Sequence, residues 1–269
     1  PGTEMFTPVV PIGGYGGWRF LNRTMEAQKS AFAESLAQKR DMEYFRQKIG
    51  SVRTAEQLVS DRRLLSVALG AFGLEDDLGS RAFIRKVLED GTLKPVALAN
   101  RLSDKRYLEL SKTFGFGDFA VPRTQLSDFA DKLLARYRDQ RFEAAIGLQS
   151  DSMRLALNAR RELPALARRS MSEDAKWLTV MGTPPLRKVF EGALGLPASF
   201  AAIDIDQQLG VLQDRASRFL GSAGFSAFAD PSRVEEVIRL YLVRGETASA
   251  GASGGGSAAL QILGTIRRV

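Results

Sequence analysis

The chain has 269 residues, enough for one large domain or two ordinary ones. It contains neither cysteine nor histidine. That excludes thiol nucleophiles, disulfides, Cys/His zinc centres, Ser-His-Asp triads and every imidazole acid-base mechanism. The net charge is +7, with 44% hydrophobic and 26% charged residues, an ordinary globular balance with no apolar run long enough to span a membrane. Residues 1–140 carry 22 basic and 18 acidic side chains, and residues 141–269 carry 16 and 13. This describes a mixed surface, not a basic tail.

Pro1-Gly2-Thr3-Glu4 precede Met5, which reads as the natural start, the first four residues reading as a cloning scar (1–4). A Gly/Pro-rich N-terminal segment follows at 5–17. Phe6 to Ile12 has no basic stretch and no long apolar run, so no cleaved secretory signal is expected. Gly13-Gly14-Tyr15-Gly16-Gly17 then opens the first helix. Such a loop can cradle phosphate, but Arg19 stands at the third glycine position of the dinucleotide fingerprint, and no Lys-Ser or Lys-Thr follows. A hinge or close-packing segment is the better reading.

A first helical bundle is expected over 18–125. Trp18, Leu21, Met25, Phe32, Leu36, Phe45 and Ile49 recur at helical steps. Thr54-Ala55-Glu56-Gln57 is a capping box. Leu64, Leu65, Ala68, Leu69 and Phe72 form the next apolar face, stopped at Gly73. Phe83, Ile84, Val87 and Leu88 form another, ending at Gly91. Pro95 predicts a short helix at Val96–Arg101, and Tyr107, Leu108 and Leu110 continue to Gly115. Residues 126–170 read as long connecting helices, with Phe129, Leu133, Tyr137, Met153 and Leu157 inward and a kink or stop at Pro164. A second bundle is expected over 171–244, with Leu186, Val189, Phe190 and Leu194 on one helix. Asp206 is a candidate cap for the next, and Asp230-Pro231 starts the last. Residues 245–257 have linker composition and 258–269 form an apolar C-terminal segment.

Leu64 to Leu74 aligns without a gap on Leu186 to Leu196, sharing Leu, Val, Gly, Ala, Gly and Leu. Phe116 and Phe119-Ala120 match Phe225 and Phe228-Ala229 in the same order. The fold expected is therefore all-α: two related small bundles, a possible internal duplication, joined by long helices.

Asp204-Ile205-Asp206 opens like a calcium loop, but Leu209 and Arg215 occupy the positions of its glycine and glutamate, so helix capping is preferred. Glu75-Asp76-Asp77 complements the positive end of a following helix, and nothing places a second catalytic carboxylate beside it. Trp18 and Trp177 read as core anchors. Arg154, Arg160, Arg161, Arg168 and Arg169 form the densest basic stretch, either a solvated face or a site for polyanions.

Pro8-Val9-Val10-Pro11 through Gly17-Trp18-Arg19-Phe20-Leu21-Asn22-Arg23-Thr24 carries a resemblance, with Thr54 to Leu74, Phe83 to Glu89 and Ala99 to Tyr107. Together these segments resemble an alphaproteobacterial family of uncharacterised, flagellar-gene-associated helical proteins, a domain of unknown function. The resemblance covers most of residues 8–165. It implies a role in flagellar assembly or structure and brings no catalytic residues. The expectation is a non-enzymatic structural or adaptor protein, without cofactors, acting through contacts with other flagellar proteins or copies of itself. Its place would be the cytoplasm or the flagellum. Val9, Val10 and Ile12, with Leu260, Ile262, Leu263 and Ile266, are the candidate docking residues. The alternative is a nucleic-acid or polyanion module using the five arginines above.

Overall fold

A computed structural model describes residues 6–266; the side chains of residues 36, 37 and 249–266 lie outside that description. The expected scar at 1–4 and the side chains of Leu260, Ile262, Leu263 and Ile266 therefore fall outside the described residues. Among those described, every regular element is helical and no strand occurs. The chain forms two compact units.

The first unit holds residues up to Val10, Leu21–Asp151 and the short Gly182–Pro184 piece. Its helices are α1 (Gly14–Ala33, from Leu21 onward), α2 (Leu36–Lys48), α3 (Ala55–Ser60), α4 (Arg62–Gly70), α5 (Arg81–Asp90), α6 (Leu98–Arg101), α7 (Arg106–Phe114) and α8 (Phe129–Gly147). The core surrounds α4, which packs on α2, α3 and α8. Leu64, Leu65, Val67, Ala68 and Leu69 of α4 are all buried there. Thr54 and Gln57 form the predicted capping box at the start of α3. Asp61 caps α4 by accepting from the backbone N–H groups of Arg63 and Leu64, so two helices are restarted within seven residues.

The second unit holds Pro11–Phe20, Ser152–Met181 and Pro185 onward. It contains the first turns of α1, then α9 (Asp151–Ala167), α10 (Glu173–Met181), α11 (Pro184–Leu194), α12 (Ile205–Leu220) and α13 (Pro231–Ile266). Trp177 is fully buried, with Phe190, Phe225 and Phe228 edge-on to it at 5.1, 5.0 and 6.2 Å between ring centres. Trp18 is equally buried and donates through Nε1 to Glu235 at 2.8 Å.

Four expectations change. The helices expected to connect over 126–170 divide between the units: α8 buries Phe129, Leu133, Leu134 and Tyr137 in the first, whereas α9 belongs to the second. Of the two readings of Pro164, the stop fails, because α9 runs three residues further, to Ala167. The cap of α12 is Asp204, whose carboxylate accepts from the Asp206 N–H, because Asp204 has extended backbone and Asp206 is already helical. The segment 245–257 is continuous with α13. Glycine lowers helix propensity without forbidding helical backbone, and a helix nucleated at Asp230-Pro231 extends more readily than it starts.

The matched Gly segments share local geometry. Gly73 and Gly195 have φ of +67° and +63°. In each, the following leucine N–H closes the helix end, Leu74 onto Leu69 O at 3.0 Å and Leu196 onto Glu191 O at 2.8 Å. Gly70 lies against the Tyr137 ring and Gly192 against the Tyr241 ring.

Candidate functional site

Of the candidate docking residues at the N-terminus, Val9 and Val10 belong to the first unit and Ile12 to the second, all before the first helix. Pro8 has no N–H, and neither has Pro11, so Val9 and Val10 are the only amides between them. Val9 N–H donates to Gln28 Oε1 at 2.7 Å, and Gln28 Nε2 returns a bond to Val9 O at 3.1 Å. Val10 N–H donates to Gln149 Oε1 at 3.1 Å, while Gln149 Nε2 donates to Pro8 O. Val9 and Ile12 are exposed and Val10 is half-buried. Held this way, the segment leaves the Val9 side chain exposed.

The arginines of the candidate basic face spread around α9 and its end. Arg160 lies 5.8 Å from the Trp18 ring centre, Arg161 pairs with Glu162, and Arg168 donates to Ala229 O at 3.3 Å. Arg154, Arg161 and Arg169 are half-buried. Arg160, Arg161 and Arg168 are drawn into local contacts.

The acidic clusters serve the fold. Glu75, Asp76 and Asp77 lie in a short 3-10 turn, and Asp77 accepts the Tyr107 hydroxyl at 2.6 Å. Burial, then the bond to Asp77, pushes the Tyr107 hydroxyl up to about 12. Burial also raises the Glu75 carboxyl. In the groove between α1 and α8, Lys29 and Asp139 neutralise each other at 2.9 Å. Among the described residues no three acidic side chains are grouped to hold a metal ion, and no helix is long and apolar enough to cross a membrane.

A surface that the sequence reading passed over stands out in the first unit. Two loops, 91–97 after α5 and 115–122 after α7, are tied together by Asp118. Its Oδ1 accepts from the N–H groups of Thr92 at 2.5 Å and Leu93 at 3.2 Å, and its Oδ2 accepts the Thr92 hydroxyl at 2.7 Å. Asn100 secures the first loop from its other side, donating through Nδ2 to Thr92 O at 2.9 Å and Lys94 O at 2.7 Å. Gly117 meets Glu89 O and the Gly91 backbone so closely that a β-carbon on it would collide with both.

With the loop backbones satisfied internally, the apolar side chains point out. Leu93 is 71% exposed, Val96 75%, Phe119 45% and Val121 65%. Singly exposed apolar residues are ordinary, and these four stand on loops whose backbones are clamped. Glu89 and Asp90 pair with Arg85 and Lys86, and Asp118 is spent on the loops. Lys94 helps to lower the Asp90 carboxyl, and Arg123 lies over the Phe119 ring at 5.1 Å. The signal available in the sequence was Leu93-Lys94-Pro95-Val96, an apolar pair in a loop. Pro95 suggested a helix start instead, and α6 begins only at Leu98. Phe119 and its repeat match Phe228 differ in burial, Phe228 being buried and Phe119 exposed.

Comparison with known proteins follows this geometry. Residues 71–234 match the family described as protein of unknown function (DUF1217). A crystal structure of a protein from Agrobacterium tumefaciens is similar to this chain over 89% of its length and 98% of the other, with a TM-score of 0.73 and 27% identity. No curated protein matches.

Proposed function

This chain belongs to the DUF1217 family of proteins of unknown function, and from that premise we propose that it is a non-enzymatic docking protein of the bacterial flagellum. The observation that carries the docking role is the clamped loop pair, which spends its polar groups on rigidity and leaves Leu93, Val96, Phe119 and Val121 facing solvent. Preorganised apolar anchors bind with little ordering cost. The flagellar placement is supported by the resemblance of residues 8–24, 54–74, 83–89 and 99–107 to the flagellar-gene-associated family. Polyanion binding has less support, because Arg161 pairs with Glu162 and Arg160 lies over Trp18.

The test is in-cell photo-crosslinking of the full chain from position 96 in flagellated cells, followed by mass spectrometry. Flagellar structural or assembly proteins are expected, and the Leu93→Ser/Val96→Ser double variant should abolish them. Crosslinks that survive the double variant, or that reach only nucleoid proteins, refute the proposal.

A further inference from the structure

We infer that the loop pair receives the Ile203-Asp204-Ile205-Asp206 stretch of a second copy of this chain; this rests on the docking reading above and names the partner. Ile203 and Ile205 are exposed large apolar residues of the second unit, two positions apart at the start of α12. Their backbone is held as firmly as the loops are. Gln208, itself buried, donates through Nε2 to Ile203 O at 2.7 Å, and its Oε1 accepts from Arg187 at 2.9 Å. The Gln208 N–H donates to Asp204 O at 2.8 Å, and the Asp204 carboxylate accepts the Asp206 N–H at 2.9 Å. The polar groups of the stretch are engaged locally, and its two isoleucines remain in solvent.

Apolar contact, not charge, makes the match. At the loop pair Lys94 acts on Asp90, and Asp118 stands between the loops, so the local charges nearly balance. What the acceptor offers is Leu93, Val96, Phe119 and Val121. Its complement is a projection that is already exposed and already ordered, because such a group loses little freedom when it is seated. The isoleucine stretch meets both conditions, and every copy carries one stretch and one loop pair, so donor and acceptor are always equal in number. The net charge of +7 opposes self-association in general. It is weakest as an obstacle here: no Lys or Arg lies between Lys188 and Arg215, Asp204 and Asp206 flank Ile205, and Arg187 is paired with Glu191. Two different patches meet, so the contact is heterologous, and copies joined in this way close into a ring or extend as a row.

The experiment follows the mass of the full chain by sedimentation velocity as its concentration is raised. Leu93→Ser/Val96→Ser removes the acceptor, and Ile203→Ser/Ile205→Ser removes the donor. The parent chain should self-associate, and each variant alone should need at least about a tenfold higher concentration, since two anchors of the contact are lost. An equal mixture of the two variants should recover pairs and nothing larger, because one donor and one acceptor are intact and the remaining ends are blocked. All four positions are exposed, so circular dichroism and melting should match the parent chain, and recovery in the mixture shows that both variants are folded. A parent chain that stays monomeric, a donor variant that still self-associates, or a mixture that recovers no pairs overturns the inference. If the parent is monomeric while the cellular crosslinks still depend on Leu93 and Val96, the loop pair serves a foreign protein: the docking role stands and the second copy falls.

Discussion

Asp118→Ala tests whether the loop pair is rigid by construction. The carboxylate accepts three hydrogen bonds, two from backbone amides and one from the Thr92 hydroxyl. Bonds to a charged acceptor contribute about 1.5–3 kcal/mol each when fully formed, and less where water competes and the bonds share one acceptor. Because Asp118 is half-buried, the expected loss is about 2–4 kcal/mol in total. In thermal melting that corresponds to a fall of about 6–12 °C for a chain of this size. Asp118→Asn keeps an oxygen for both amides, and its NH2 can donate to the Thr92 hydroxyl, so it should cost no more than about 1 kcal/mol. Hydrogen exchange localises the effect. The Thr92 and Leu93 amides should exchange at least about thirtyfold faster in the alanine variant, while those in the core of α4 change only as global stability does. If alanine and asparagine behave alike, or if Thr92 and Leu93 exchange at parental rates, then Asp118 does not hold the loops.

Two further outcomes follow from the structure. A methyl group on Gly70 would stand 2.8 Å from Tyr137 Cε2, and one on Gly192 2.7 Å from Tyr241 Cδ2. Overpacking should exceed the gain in helix propensity, so Gly70→Ala and Gly192→Ala should each destabilise by about 1 kcal/mol in urea titration, with coupling to Tyr137→Ala and Tyr241→Ala in double-mutant cycles. Absence of coupling would show that the rings do not set the limit. The Glu173 carboxyl is held down at about 2 by the Ser226 hydroxyl and then Lys176. Its depressed folded-state pKa stabilises the fold above the unfolded value near 4.5, and that contribution is lost as pH falls towards 2. Glu173 is 43% exposed, so solvent screening reduces the contribution to about 1 kcal/mol. The stability gap between the parent chain and Glu173→Gln should therefore close between pH 5 and about 2, and a gap independent of pH would refute the assignment.

Helix placement was largely legible because it rests on local chemistry. The apolar steps from Trp18 to Ile49, the Thr54–Gln57 box and Asp230-Pro231 each depend on residues a few positions apart, and each appears in the fold. The clamped loop pair was not legible because its cause is distant. Thr92 and Asp118 are 26 positions apart, and nothing local says that Leu93 is turned outward by a carboxylate in another loop. The glycines after residue 245 were read by composition, which reports an average preference and cannot weigh it against the helix already running into them.

The two glutamine clamps on the N-terminal segment touch main-chain atoms alone. Such a grip is indifferent to what residues 9 and 10 carry, provided that each retains its N–H. An anchor of this kind lets a helical body fasten an extended peptide without exposing a sheet edge, and so without the sideways stacking that unpaired edges invite. Freedom to vary is thereby moved onto the two valines, while the demand for particular side chains falls on Gln28 and Gln149, which stand 19 and 139 positions along the chain from their targets.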